Sequence, residues 1–208
     1  METSTQGRSA RARQAILDAA TAVFLEKGYK GTSMDEVAAV ASVSKQTVYK
    51  NFTDKRSLFT EIIHRGLDRI DDLFSDVTGA LAVTEDLERD LVALARQFVA
   101  NLTQPRLLQL RRLVIAEADR FPELGRSYYE RGPEHVHALL ADAFSKLADR
   151  ELLVVDDPTL AANHFTWLTT SIPVNRVMFC GSGETFTRAE LERFADEAVR
   201  VFLAAYRP

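Results

Sequence analysis

Apolar positions recur at helical spacing along the whole chain. Ile16, Ala20, Val23 and Phe24 fall at i, i+4, i+7 and i+8, one face of a helix from about Arg11 to Lys27. Gly28 and Gly31 follow, and glycines at such positions end a helix and turn the chain. Ser33-Met34-Asp35-Glu36 has the form of a capping box and predicts a short helix through about Val40. A three-residue joint, Ala41-Ser42-Val43, leads to a second short segment, Ser44 to Lys50. Asp54 then caps a longer helix, to about Leu73, that carries Leu58, Phe59, Ile62, Ile63, Leu67 and Ile70.

The remainder follows the same period. Glu85 to about Thr103 reads as one helix, with Leu91, Leu94, Ala95, Phe98 and Leu102 on a shared stripe. Another starts at Pro105, where proline suits the first helical position, and runs to about Ala118. The segment from Gly125 to Asp149 is interrupted by Gly132-Pro133, which predicts a break or kink. Asp157-Pro158 opens a helix toward Cys180 with a kink at Pro173, and Gly181-Ser182-Gly183 is a loop. Thr187-Arg188-Ala189-Glu190 is a second capping box and opens the last helix, to about Tyr206. Leu152 to Val155 is the one short strand candidate. The expected fold class is all-α, about nine helices without internal repeats. A helix-turn-helix head over residues 9–56 precedes a larger helical body over 57–208.

Composition narrows the class. The chain has 208 residues, 46% hydrophobic and 27% charged, which suits an ordinary globular protein with a sizeable core. Its one cysteine, Cys180, cannot form an internal disulfide, which suits a reducing compartment. No apolar stretch approaches the ~20 residues of a membrane span, and Met1 to Arg13 lacks a signal-peptide core. These features predict a soluble, cytoplasmic protein with no membrane association. The net charge of −4 conceals an asymmetry. Residues 1–60 carry nine Lys/Arg against six Asp/Glu, net +3, and the rest of the chain carries −7. A basic head on an acidic body directs any polyanion to one end.

The two short segments and their joint have the form of a helix-turn-helix. A helix of two turns is unstable alone, so both must pack on the long helices before and after them. Val37, Ala38, Ala41, Val43 and Val48 supply small apolar contacts for that packing. The outward residues of the second segment are Ser44, Lys45, Gln46, Thr47, Tyr49 and Lys50, groups that reach phosphates and base edges. Glutamine pairs with adenine, lysine favours guanine, and the Thr47 methyl suits thymine. Lys55 lies in the first turn of the next helix, where a cation opposes the helix dipole unless an anion is close. A phosphate held by that helix's amides and Lys55 resolves the conflict.

Over residues 11–60 the chain resembles the TetR/AcrR family of transcriptional regulators. The resemblance rests on Ile16-Leu17-Asp18-Ala19-Ala20, Val23-Phe24 and Gly28-Tyr29-Lys30-Gly31-Thr32. It continues through Ser33 to Ala38, Ala41 to Ser44, Thr47-Val48-Tyr49, Asn51-Phe52, Asp54-Lys55 and Leu58-Phe59. A weaker likeness to some family bodies covers Arg112 to Glu117 and Phe121-Pro122-Glu123-Leu124. The resemblance implies that Lys45, Gln46 and Thr47 meet bases or adjoining phosphates from a recognition helix over Ser44 to Lys50. It implies that Tyr49, Lys50 and Lys55 grip the DNA backbone, and that Thr32 or Ser33 touches it. One departure is visible: Arg56-Ser57 follow Lys55, where many members place an acid, which alters the usual first-turn cap. The family also implies a homodimer through the last two long helices, Pro158 to Phe179 and Thr187 to Tyr206. Leu191, Phe194, Ala198, Val201 and Phe202 offer a stripe for that interface. The partners so implied are double-stranded DNA carrying a palindromic operator, a second copy, and a small-molecule effector.

For the effector cavity the candidates are Phe98, Leu102, Leu113, Tyr128, Phe144, His164 and Trp167, with Leu110, Tyr129 and Met178 as further apolar choices. Arg112, Glu117, Asn163, His164 and Asn175 are the polar groups that would set ligand chemistry. The four histidines fit structural or surface roles. His135 and His137 stand two apart, pointing about 200° from each other on a helix, and lack the i, i+4 spacing of a helical zinc pair. Cys180 has no cationic cluster beside it in sequence, and Ser182 lacks the pattern of a nucleophile elbow. No catalytic residue, metal site or cofactor is expected. Two other classes stay open: a small helical enzyme, which requires a constellation not found, and an adaptor whose head binds protein. A shallow salt dependence of partner binding would mark the adaptor, because phosphate contacts make the dependence steep.

Overall fold

The helical periodicity resolves into ten α-helices and one π-helical turn, with no strand among the described residues. In this computed structural model the backbone is described except at Met1, Ala82, Ser182 and Glu184. Side chains are described except there and at residues 2–6, Arg8, 69–78 and Ala80. Ser182 and the Ile70 side chain, both named above, therefore lie outside the described residues. The helices are α1 (Glu2–Gly31), α2 (Met34–Val40), α3 (Lys45–Asn51), α4 (Lys55–Leu81) and α5 (Leu87–Leu102). They continue as α6 (Pro105–Glu117), α7 (Pro122–Tyr129), α8 (His135–Asp149), α9 (Pro158–Cys180) and α10 (Arg188–Tyr206).

The chain divides into two compact units. The first comprises Met1–Gly66 with Leu113–Arg126, the second Leu67–Arg112 with Ser127–Pro208. The first unit thus draws on a distant segment, whereas the sequence suggested a head confined to 9–56. An aromatic cluster explains the addition. Phe121 stands edge-on to Tyr29 at 4.8 Å and 6.2 Å from Phe59, and Phe24 lies 5.2 Å from Phe59. Arg120 covers the Tyr29 ring at 4.9 Å and the Phe121 ring at 5.3 Å. Aromatic pairs in this range contribute beyond the area they bury.

In the second unit α10 packs on α5 and α9, and α8 packs on α9. Phe144, Phe165 and Phe202 meet at its centre with centroids 5.1–5.7 Å apart, all three fully buried. The expected break at Gly132-Pro133 is a π-helical turn, Glu130–Glu134, which joins α7 to α8. Pro133 lacks an amide hydrogen, and a widened turn accommodates the missing bond. Gly132 suits a tight spot, since a Cβ there would stand 3.0 Å from Leu67 Cδ2, which would have to give way by a few tenths of an ångström. Helix α7 starts at Pro122 rather than Gly125, as the preference of proline for a first helical position favours. Leu152 to Val155 is not a strand: it runs without a ladder, and the Val154 amide donates to the Tyr206 carbonyl at 2.7 Å.

The last-helix stripe needs correction at two of its five positions, while Val201 is exposed and Leu191 and Phe194 are half-buried. Ala198 and Phe202 are buried within the protomer's own core and cannot meet a second copy. Residues spaced by helical turns on α10 face α5 and α9, and periodicity does not distinguish an internal face from an external one. Among the described residues, the helix that exposes most large apolar side chains is α9, with Leu160, Trp167, Leu168, Ile172 and Phe179.

Candidate nucleic-acid interface and ligand cavity

Placement of α3 begins with Gly28, whose φ of 71° and ψ of 177° break α1 in a conformation that only glycine adopts without strain. Thr32 Oγ1 donates to the Gly28 carbonyl at 2.8 Å, and Ser33 caps α2 by accepting from the Glu36 amide. Helix α2 ends in a Schellman turn: the Val43 amide donates to the Ala38 carbonyl and the Ser42 amide to that of Ala39. Ser42 takes φ 54° to make it. Ser44 then caps α3 by accepting from the Thr47 amide at 3.1 Å, and fully buried Val48 anchors the helix. The exposed side carries Ser44, Lys45, Gln46, Tyr49 and Lys50.

Several expected DNA contacts have partners of their own. Lys45 Nζ stands 2.8 Å from the Asp35 carboxylate on α2, which raises the lysine above its usual pKa. A phosphate at this position would therefore replace an ion pair. Thr47 is half-buried, its hydroxyl 2.8 Å from that of Ser44. Thr32 is a correction: its side chain is 3% exposed and its hydroxyl shapes the turn, so it does not face solvent. Ser33 is exposed, with its oxygen engaged as the α2 cap.

Lys55 resolves the dipole conflict in a way the sequence did not suggest. Its ammonium donates to the carbonyls of Tyr29 and Thr32, both at 2.9 Å, and lies 4.5 Å from the centre of the Tyr29 ring. It ties the α1–α2 turn to α4 and keeps one N–H for another acceptor. The departure at Arg56-Ser57 also has a structural answer. Asp54 accepts from the Ser57 amide at 2.7 Å while Ser57 Oγ accepts from the Asp54 amide, a reciprocal cap in which serine replaces the acid. Arg56 pairs with Glu123 and lies over the Phe121 ring.

In the second unit, Phe98, Leu102, Tyr128 and Trp167 border one cavity of about 100 Å³, as far as the described residues show. Leu113, Phe144 and His164 do not. Leu113 belongs to the first unit, and Phe144 fills the aromatic core. His164 is exposed, with Nδ1 2.6 Å from the Tyr206 hydroxyl. The polar lining includes Arg111, Tyr128, Tyr129, His137, Thr166 and Thr170, of which the sequence pointed to the two tyrosines. Burial lowers the His137 pKa, opposed by Glu134, and raises that of Tyr128, opposed by Arg111. A signal for the threonines was present, because Thr166, Thr170 and Val174 repeat at i, i+4 and i+8 on α9. Arg112 borders a second cavity of about 260 Å³ and donates to the Val177 carbonyl at 2.6 Å. Among the described residues no group of three His, Cys, Asp or Glu is placed to hold a metal, and no helix is long and apolar enough to cross a membrane.

Comparison with known proteins agrees with this geometry. The model for bacterial regulatory proteins of the tetR family matches residues 16–62, and that for the C-terminal domain of AefR-like transcriptional repressors matches residues 89–208. A Mesorhizobium loti protein described as a TetR-family transcriptional regulator is 48% identical, with a TM-score of 0.90 over 97% of this chain and 99% of that one. The flavonoid-responsive regulator FrrA is 29% identical, with a TM-score of 0.74 over 96% of this chain and 98% of its own. The transcriptional activator FasR of Mycolicibacterium smegmatis is 37% identical over 86 residues, 41% of this chain and 38% of the relative's length. With its helix-turn-helix head and its body each matched by a model, the chain belongs to the TetR family of transcriptional regulators.

Proposed function

We propose that this protein is a cytoplasmic, dimeric repressor that binds a palindromic operator through α3 and leaves it when a small molecule fills the cavity of the second unit. The observation that carries the reading is α3 itself, a capped two-turn helix whose exposed side consists of hydroxyl, amide, phenol and ammonium groups. In a two-fold dimer, two such helices meet successive major grooves when they stand about 34–36 Å apart, which makes the operator palindromic. Gln46, Lys45 and Thr47 then face base edges or adjoining phosphates, while Tyr49 and Lys50 hold the backbone. Lys55 adds its remaining N–H. Release by about 100-fold requires about 2.7 kcal/mol of differential ligand affinity between the DNA-competent and splayed dimers. Helix α4 is shared by both units and is the lever in this scheme. FrrA is flavonoid-responsive, and a hydroxylated aromatic suits a cavity bordered by Phe98, Tyr128 and Trp167.

Selection of random duplex DNA by the purified protein at two salt concentrations tests the reading. Enrichment of a palindrome, lost steeply at the higher salt, is the expected result. Absence of enrichment from protein freed of small molecules by denaturation and refolding would overturn it.

A further inference from the structure

A cavity of about 100 Å³ is too small for the ligand the proposed function requires. An apolar cavity of about 150 Å³ holds a single benzene ring, and typical ligand sites measure about 300–1,000 Å³. Filling the cavity therefore moves a wall. Phe98, Leu108, Val136 and Val174 are 5% exposed or less and are braced by core on their far sides. Two wall residues are not so held: Trp167, 50% exposed, and Tyr129, 56% exposed. The cavity can widen between these two rings.

Trp167 also occupies a second surface. At about 100° per residue, Thr166, Thr170 and Val174 form the side of α9 that lines the cavity. Leu160, Leu168, Ile172 and Phe179 lie on the side open to solvent, and Trp167 falls on the seam between the two. These exposed apolar residues span most of α9, with His164, Asn175 and Arg176 exposed among them, and end at Phe179, 87% exposed. On α10, Val201 is 41% exposed and is followed by Ala204 and Ala205, small residues that permit close approach. A second copy is the occupant that fits, because large apolar side chains stand exposed along α9 and Val201 on α10, and a two-fold copy sets such side chains against one another. Use of the second copy as occupant rests on the dimer of the proposed function.

We propose that Trp167 is a movable wall shared by the ligand cavity and the dimer interface, so that the binding site is complete only when a second copy closes the outer side of the indole. The ligand is a compact aromatic carrying an acceptor for Arg111 and a hydroxyl for Tyr128 or His137. Since the two events share one side chain, each ligand bound strengthens dimerisation by the factor by which dimerisation strengthens its own binding. Ligand exchange is then slowest in the dimer.

Trp167 is the only tryptophan in the chain, so its emission reports on this wall alone. The probe is 7-hydroxycoumarin, a fused aromatic with a hydroxyl and a carbonyl whose absorption overlaps tryptophan emission. Two variants, Ile172→Glu and Phe179→Glu, alter the exposed stripe without touching the cavity, and circular dichroism checks that each remains folded. Sedimentation gives the oligomeric state. For the parent, Trp167 emission shifts to the red on dilution into monomer, and coumarin quenches it in the dimer. Folded monomeric variants show the red-shifted emission and bind coumarin at least tenfold more weakly. At saturation coumarin lowers the parent's dimer dissociation constant by the square of that factor, because each dimer holds two sites. A monomeric variant with unchanged emission and coumarin affinity overturns the shared wall. Variants that both remain dimeric overturn the assigned face, and a parent that does not bind coumarin overturns the ligand class. None of these outcomes bears on operator selection, so the DNA-binding reading stands or falls separately.

Discussion

Lys50 and Lys55 are equivalent cations in the sequence and different objects in the fold. Lys50 is exposed on α3, whereas the Lys55 ammonium is bonded to the carbonyls of Tyr29 and Thr32. Lys50→Ala is therefore expected to weaken binding to all DNA sequences and lower the slope of log affinity against log salt by about 0.9, with the melting temperature unchanged. Lys55→Ala is expected to destabilise the protein as well, by about 2 kcal/mol, the scale of hydrogen bonds from a charged donor. Thermal melts and salt titrations of both variants check this; a Lys55→Ala protein as stable as the parent would contradict the tie. Residues of α3 were legible because a two-turn helix with one buried residue, Val48, leaves few positions to assign. Thr32 and Lys55 were not, since their roles depend on carbonyls freed at a turn rather than on spacing.

His137 offers a pH test at the same scale. Burial holds its pKa below the ordinary histidine value of 6.5, with Glu134 opposing. As pH falls through that value the unfolded chain gains a proton that the folded His137 resists, so stability is lost toward acid and is complete above it. Between pH 7.5 and 5.5 the melting temperature of the parent should fall more steeply than that of His137→Gln. Parallel curves would contradict the assignment. Nothing in the spacing marked this residue as cavity-facing, because a histidine two positions from another looks the same whether it faces solvent or a cavity.

Among the elements, the α1–α2 turn depends most on a single position. Gly28→Ala meets no neighbouring atom, yet φ 71° with ψ 177° strains any side chain. The expected cost is of order 1–3 kcal/mol, read by thermal or urea denaturation, with a matched loss of DNA affinity as α2 shifts. A neutral substitution would mean that the turn relaxes and does not set the placement of α2. The caps and glycines made nearly every helix legible, because local chemistry ends helices. What escaped were features that tertiary packing decides: Phe121 docking beside Tyr29, and the inward face of α10 at Ala198 and Phe202. The cavity was half legible for the same reason. Phe98, Leu102, Tyr128 and Trp167 line it, but Phe144 has the same chemistry and fills core.

For the whole molecule, family membership supplies the frame and this chain's own residues supply the particulars. A basic head on an acidic body directs DNA toward the end that carries α3. In the proposed scheme the exposed residues of α9 and the cavity beside it serve dimerisation and ligand entry together, which a single tryptophan can report. The regulatory role presupposes that α3 reads base sequence. Parallel selection of random duplexes by the parent and by Gln46→Ala, whose side chain is exposed on α3, tests that most directly. The account predicts one palindrome for both proteins, with a symmetric pair of positions relaxed in the variant, a loss of about 1–3 kcal/mol in discrimination at each. An unchanged consensus in the variant, or none in the parent, would contradict it.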